Sequence, residues 1–399
     1  MRLSTAQLFQ QGINSIVQEQ ARFAELDLRI ASGKRILTPS DDPAGAVQVN
    51  QLTADIAHFE QVERNISVAE GTLASEEGVL NQVGDSLQRV RELLVQSAND
   101  TLDDNNRRAI AIELTGLREH LMSLANTRDA SGQYLFSGFQ TETQPFAISS
   151  GQVVYNGDQG HRQMDVGQGV RLAIADSGFH VFESARTGNG TFSVNAEASN
   201  TGSAVVTSSA DGQFVPDTYT VSFSQPFPTS PMTYLVTDGS GATVSSGNWT
   251  EGDQLQFQGV QLSFSGIPDD GDSFTVEPSA RQSMFATLTD AIDVLNGDLA
   301  GGNATSLRHN RLNSALENVD QAMVHTLEIR SAIGSRLNNL SALQSLHDDQ
   351  MLTLQTTLSA TEDLNLVEAI NEVNAQRVAL QAAQSAYLQI RDLSLFNYL

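Results

Sequence analysis

A large apolar residue returns every seventh position from Leu52 to Leu94, by way of Phe59, Ile66, Leu73, Leu80 and Leu87. Val62, Ala69, Val83 and Val90 fill the intermediate steps. This 3-4 spacing over six heptads predicts one long helix with a coiled-coil seam. A second helix is predicted through Ile110, Leu114, Leu117, Leu121 and Leu124. A third seam runs through Leu312, Leu316, Val319, Met323, Ile333, Leu337 and Leu340. The two ends of the chain carry narrower stripes. Phe9, Ile13, Ile16, Phe23 and Ile30 form one, interrupted by Gln20 and Asp27. Leu366, Ile370, Val373, Leu380 and Tyr387 form the other, interrupted by Arg377 and Gln384. Stripes so broken do not hold an isolated helix. These ten residues are therefore expected to be terminal assembly positions, buried when the ends pair and pack on copies of themselves.

The stretch LQRVRELLVQSAND, residues 87 to 100, carries two stripes. Leu87, Val90 and Leu94 continue the seam. At 100° per residue, Arg89, Leu93 and Gln96 fall on nearly the opposite side, so Leu93 is expected on a solvated face. An apolar residue there asks for a partner.

Between the helical zones the period changes from 3.6 to 2. Tyr219, Val221 and Phe223 alternate with polar residues, as do Met232, Tyr234 and Val236. Leu255 and Phe257 precede a turn at Gly259, and Leu262 and Phe264 follow it; Phe274 and Val276 make a last strand. Asp238-Gly239 and Asp270-Gly271 read as hairpin turns. The segment SGKRILTPSDDPAG (32 to 45) joins the first helix to the second, with Asp42 as N-cap and Pro43 at the first helical position. The expected fold is α+β: a long coiled-coil bundle built from both ends of the chain, with an antiparallel β domain inserted. The expected divisions are terminal helical segments at 1–40 and 361–399, and a coiled-coil core at 41–144 and 281–360. A β segment at 145–186 flanks that core, and 187–280 forms an acidic, solvent-facing β domain.

Charge narrows the choice of partner. The net charge is −25, and Lys34 is the only lysine among 22 bases. Between Arg186 and Arg281 there is no Lys or Arg at all. Such a chain repels phosphate backbones and anionic membranes. Zero cysteines exclude disulfides and thiol chemistry. MRLSTAQLFQQGINS lacks the apolar run of a conventional signal peptide, and no stretch reaches the ~18 apolar residues of a membrane span. Gly33-Lys34 has neither the glycine spacing nor the Ser/Thr of a P-loop, and no Gly-x-Ser-x-Gly elbow occurs. The seven histidines have no metal-ligand spacing, and His120, His325 and His347 read as polar-face or seam-edge residues of helices. The acidic turn PDDGDS (268 to 273) lacks the length and terminal Glu of a calcium loop. No catalytic residue, cofactor or metal site is expected.

LQRVRELLVQSAND resembles a motif in the long core helix of the bacterial flagellin family, and SGKRILTPSDDPAGAVQV resembles the segment preceding that helix. The carboxyl end, AQRVALQAAQSAYLQIRDLSLFNYL, is similar in amphipathic character to flagellin-type termini. GQYLFSGFQTETQPF (132 to 146) and GDSFTVEP (271 to 278) resemble the hook-associated branch at the hook–filament junction. The resemblance implies a structural protein that is not an enzyme, forming an adaptor between hook-associated protein 1 and flagellin. It implies a ring of identical subunits, unfolded export through the flagellar type III channel to the outside of the cell, and an export chaperone on the carboxyl-terminal helices. It also implies that Arg89, Leu93 and Gln96, with Glu113 on the following helix, contact a neighbouring subunit. Filament flagellin itself, or an adhesin presented on coiled coils, are the alternatives.

Overall fold

The long seam does fold as one helix. In the computed structural model, which describes residues 5–167, 169–297 and 303–392, helix α1 spans Thr5–Ser32, α2 Pro43–Ser97 and α3 Asp104–Ala125. Two short hairpins follow: β1 (Phe146–Ser149) with β2 (Gln152–Tyr155), and β3 (Gln163–Gly167) with β4 (Val170–Ala173). One turn of helix, α4 (Gly178–Phe182), leads to β5 (Ala185–Arg186) and β6 (Phe192–Ala196). Strands β7 (Val205–Ala210), β8 (Tyr219–Ser224), β9 (Thr233–Thr237) and β10 (Thr243–Asn248) come next. After β11 (Gln254–Phe257), β12 (Val260–Ser265), β13 (Ser273–Pro278) and β14 (Arg281–Gln282), the chain returns to helix. Helix α5 is Met284–Asn296, α6 is Ala304–Glu362 and α7 is Leu366–Asp392. The chain divides into two compact units, residues 1–64 with 342–399, and residues 65–341.

In the first unit α1 and α7 pack along each other. At its base the chain enters α2 as the sequence predicts: the Asp42 carboxylate accepts from the Gly45 amide at 2.9 Å, capping the helix behind Pro43. Phe59 meets His347 edge-on, with ring centroids 5.4 Å apart.

In the second unit the seam of α2 is the core, with Leu73, Leu80, Val83, Leu87 and Val90 fully buried. Helix α3 starts on the Asp103 cap, whose carboxylate accepts from Asn106 N at 2.8 Å, and buries Ile110, Leu114, Leu121 and Leu124. Helix α5 precedes the third seam. It opens on Ser283, closes on Gly297 at φ 91°, and packs against α3 through a mostly apolar surface.

The β domain is a sandwich of two antiparallel sheets, β10-β9-β8-β13-β6 and β11-β12-β7. Phe264 lies between the sheets, 5.2 Å from Phe223 and 5.0 Å from Phe274 by ring centroids. The predicted alternation is observed: Tyr219, Val221, Phe223, Val236, Leu262 and Val276 all face this core. Two of the three expected turns join paired strands. Gln258-Gly259 makes a two-residue turn with both φ values positive, and Asp238 opens the β9–β10 hairpin. Asp270-Gly271 does not make a hairpin, because the strands on either side, β12 and β13, lie in different sheets. It is a corner, held by the buried Asp272 carboxylate, which accepts from Thr201 N, Gly202 N and Asp269 N at 2.8–3.0 Å.

One face of α6 is devoted to the sandwich. Ser306, Asn310, Ser314 and Asn318 recur at helical spacing, and the side chain of each bonds the backbone of the 188–206 stretch, while Asn303 N, just ahead of the helix, donates to Asn200 O. Asn310 is buried, accepting from Val206 N at 2.8 Å and donating to Ala204 O at 3.0 Å. Asn310→Ala leaves both backbone groups buried and unpaired, and should cost about 1–3 kcal/mol. Thermal unfolding measures it; a variant as stable as the parent would show that the sandwich does not depend on this stripe.

Candidate subunit-contact surfaces

The terminal helices run antiparallel. Tyr387 lies so close over Gly12 that a Cβ there would sit 3.2 Å from its ring. Further along, Gln376 donates to Glu19, and Leu364 N donates to Gly33 O at 2.9 Å. Lys34 pairs with Glu362 at the same end. The stripes nominated from the sequence are used largely within this pair. Ile16, Phe23, Ile30, Val373, Leu380 and Tyr387 are half-buried. Ile13, Leu366 and Ile370 stay exposed, and the side chain of Phe9 lies outside the described residues. Sequence reasoning missed the residues beside the stripes. Val17 is 56% exposed and Val378 65%, with Leu28 and Val367 exposed as well. Their only signal was position: each is an apolar residue one step off the seam.

The second stripe of α2 is not a solvated face. Leu93 is 1% exposed, as deep as Leu94, which corrects the sequence expectation. The reason is that α2 is flanked twice. Arg91 pairs with Asp320 of α6 at 2.7 Å, and Arg89 pairs with Glu113 of α3 at 2.7 Å. Helix α3 folds back beside α2, so Leu93, one turn along from Arg89, is covered rather than solvated. Arg89, Gln96 and Glu113 themselves remain exposed. Arg89 Nε also donates to Glu113 at 2.9 Å, and its Nη1 donates to Glu92 at 3.0 Å. The structure thus joins Arg89 to Glu113, leaves Gln96 exposed about two turns further along α2, and takes Leu93 into the core.

The run Tyr134–Phe146 is structural too. Leu135 and Phe136 are buried, and Phe136, Phe146, Phe182 and Phe285 form one aromatic cluster with centroids 5.2–5.8 Å apart. Asn126 brackets Phe146, exchanging two 2.9 Å bonds with its backbone, so the end of α3 fixes where the run begins to pair as a strand. Gly138, at φ 70°, passes so close to Asp158 that a side chain there would collide with it. Phe139 alone in this run presents its ring to solvent.

Among the described residues no helix is long and apolar enough to cross a membrane, and no group of three ligating side chains could hold a metal ion. Amphipathic helices from both ends of the chain, a helical core and an inserted β-sandwich define a structural protein of the flagellin type. The bacterial flagellin N-terminal helical region matches residues 3–141. Flagellar hook-associated protein 3 of Escherichia coli is 26% identical over 401 residues, covering 100% of this chain and 99% of that protein. FlgL of Xanthomonas campestris superposes with a TM-score of 0.68 at 34% identity, over 77% of this chain and 99% of that one. The flagellar junction protein FlgL of Legionella pneumophila does so with a TM-score of 0.70 at 31% identity, over 79% and 100%. The chain belongs to the flagellar hook-associated protein 3 (FlgL) family. It is accordingly a structural component of the bacterial flagellum, outside the cell.

Proposed function

We propose that this chain forms the adaptor between hook-associated protein 1 and the first flagellins of the filament, closing a ring with copies of itself. It reaches that place unfolded through the flagellar type III channel, with an export chaperone on its carboxyl-terminal helices. The supporting observation is the outward face of the α1–α7 pair, where Ile13, Val17, Leu28, Val367, Ile370 and Val378 are exposed together on a chain that is otherwise strongly acidic. An apolar face of this kind marks a protein–protein contact. In this reading residues 1–40 and 361–399 are the assembly segments, supported by the core segments 41–144 and 281–360. Arg89, Gln96 and Glu113 make a second, polar contact that Leu93 supports from beneath, and the base-free domain 187–280 faces solvent beyond the flanking segment 145–186.

Val17→Asp and Val378→Asp test the assembly face. Each places a charge on a surface that the monomer leaves in water, so monomer stability should move by about 0.5 kcal/mol or less. In an assembly the same charge is desolvated without a partner. Cells carrying either variant should lose filaments and leak monomeric flagellin into the medium. Normal filaments on such cells would overturn the reading.

A further inference from the structure

The two arginines that bracket the base-free stretch of the sequence, Arg186 and Arg281, end up face to face. They are Cα partners in the ribbon formed by β5 and β14. Directly opposed like charges repel, with Cβ atoms only ~5 Å apart in such a pair. Among the described residues neither guanidinium has a carboxylate within ion-pairing distance, although acids outnumber bases 47 to 22 in this chain. Arg186 finds only the Gly190 carbonyl, at 3.4 Å.

Both side chains line a cavity of about 240 Å³ with His180 and His325. Gln321 and Ser184 add neutral polar groups, and Glu328 is its one acid, 4.0 Å from His325 Nδ1. The ring of His180 lies 5.6 Å from that of His325, whose Nε2 donates to the His180 carbonyl at 2.7 Å. Burial first, and then His325, His161 and Arg281, hold the His180 imidazole below its ordinary pKa, against the pull of Asp176.

We propose that this cavity is a binding site for a small tetrahedral oxyanion of the phosphate class. Two planar guanidinium forks, from β5 and β14, with the His180 imidazole of α4 lining the same cavity, offer donors that suit a compact anion with several oxygens. A volume of about 240 Å³ admits phosphate or a small phosphomonoester. The anion relieves the Arg186–Arg281 repulsion and ties the base of the β domain to α6.

The test is thermal unfolding of the full chain in sodium phosphate against sodium chloride and sodium acetate at equal ionic strength, with phosphate binding measured by ³¹P NMR. Phosphate should raise the melting temperature above both other salts. Arg281→Gln and the double variant Arg186→Gln/Arg281→Gln should weaken phosphate binding by about tenfold or more. In chloride the double variant should melt no lower than the parent, because the repulsion is gone, so a loss of binding is not a loss of folding. Arg377→Gln, on α7, should bind as the parent does. Equal melting in all three salts, or undiminished phosphate binding by the double variant, overturns the proposal.

Discussion

Leu93→Asp is expected to destabilise the isolated chain more than any exposed substitution on the same helix. Leu93→Ala alone removes a buried leucine and should cost about 2–5 kcal/mol. The aspartate adds a carboxylate with no cation to pair it in a site that is 1% exposed, so its cost is greater still. Arg89 does not rescue it, because that guanidinium is already held by Glu113 and Glu92. Gln96→Asp is the matched control, three residues on and exposed, and should change stability by about 0.5 kcal/mol or less. Thermal melts of the two proteins decide the matter. Equal melting would return Leu93 to the surface and restore the two-faced helix read from the sequence.

Glu76→Gln is expected to act in the opposite direction. Glu76 is completely buried on α2, where it accepts from Asp176 N at 3.1 Å. Arg336 grips the Asp176 carboxylate with both terminal nitrogens, at 2.8 and 3.2 Å. Burial, and then the charge of Asp176, push the Glu76 pKa up to about 8 from its ordinary 4.5, against the Asp176 amide, Arg336 and Arg162. Between those two values the folded chain holds a proton that the unfolded chain has released. Stability therefore falls as pH rises from 4.5 to about 8, and the loss is complete above that window. At pH 7 the penalty is roughly 2–4 kcal/mol, since each unit is worth about 1.4 kcal/mol. Glutamine keeps the acceptor and cannot ionise. The variant should match the parent near pH 4.5 and melt progressively higher above it. A constant difference between the two curves from pH 4.5 to 8 would refute the raised pKa.

These two residues mark what a single sequence could and could not disclose. The seam from Leu52 to Leu94 was legible because a heptad is a relation between residues close along the chain, and the pattern survives whatever covers it. Tyr219, Val221 and Phe223 were legible for the same reason at period 2, and Asp42 with Pro43 because a cap is local chemistry. The terminal stripes were legible as amphipathic helices, yet Ile16, Phe23 and Ile30 are taken up with Val373, Leu380 and Tyr387 in joining α1 to α7, while Val17 and Val378, one step off those stripes, stay outside. Whether Leu93 meets water depended on α3 folding back beside α2, which no spacing within residues 87 to 100 records. The corner at Asp270-Gly271 looked like a hairpin because turn chemistry is the same whether the chain returns to its own sheet or crosses to another. Glu76 lies 100 residues from Asp176, and Arg186 lies 95 from Arg281; each became significant only when the fold brought the pair together. Periodicity and capping act between neighbours and are written in the sequence. Burial, charge pairing and pKa are set by what arrives from elsewhere in the chain, and only the tertiary structure decides them.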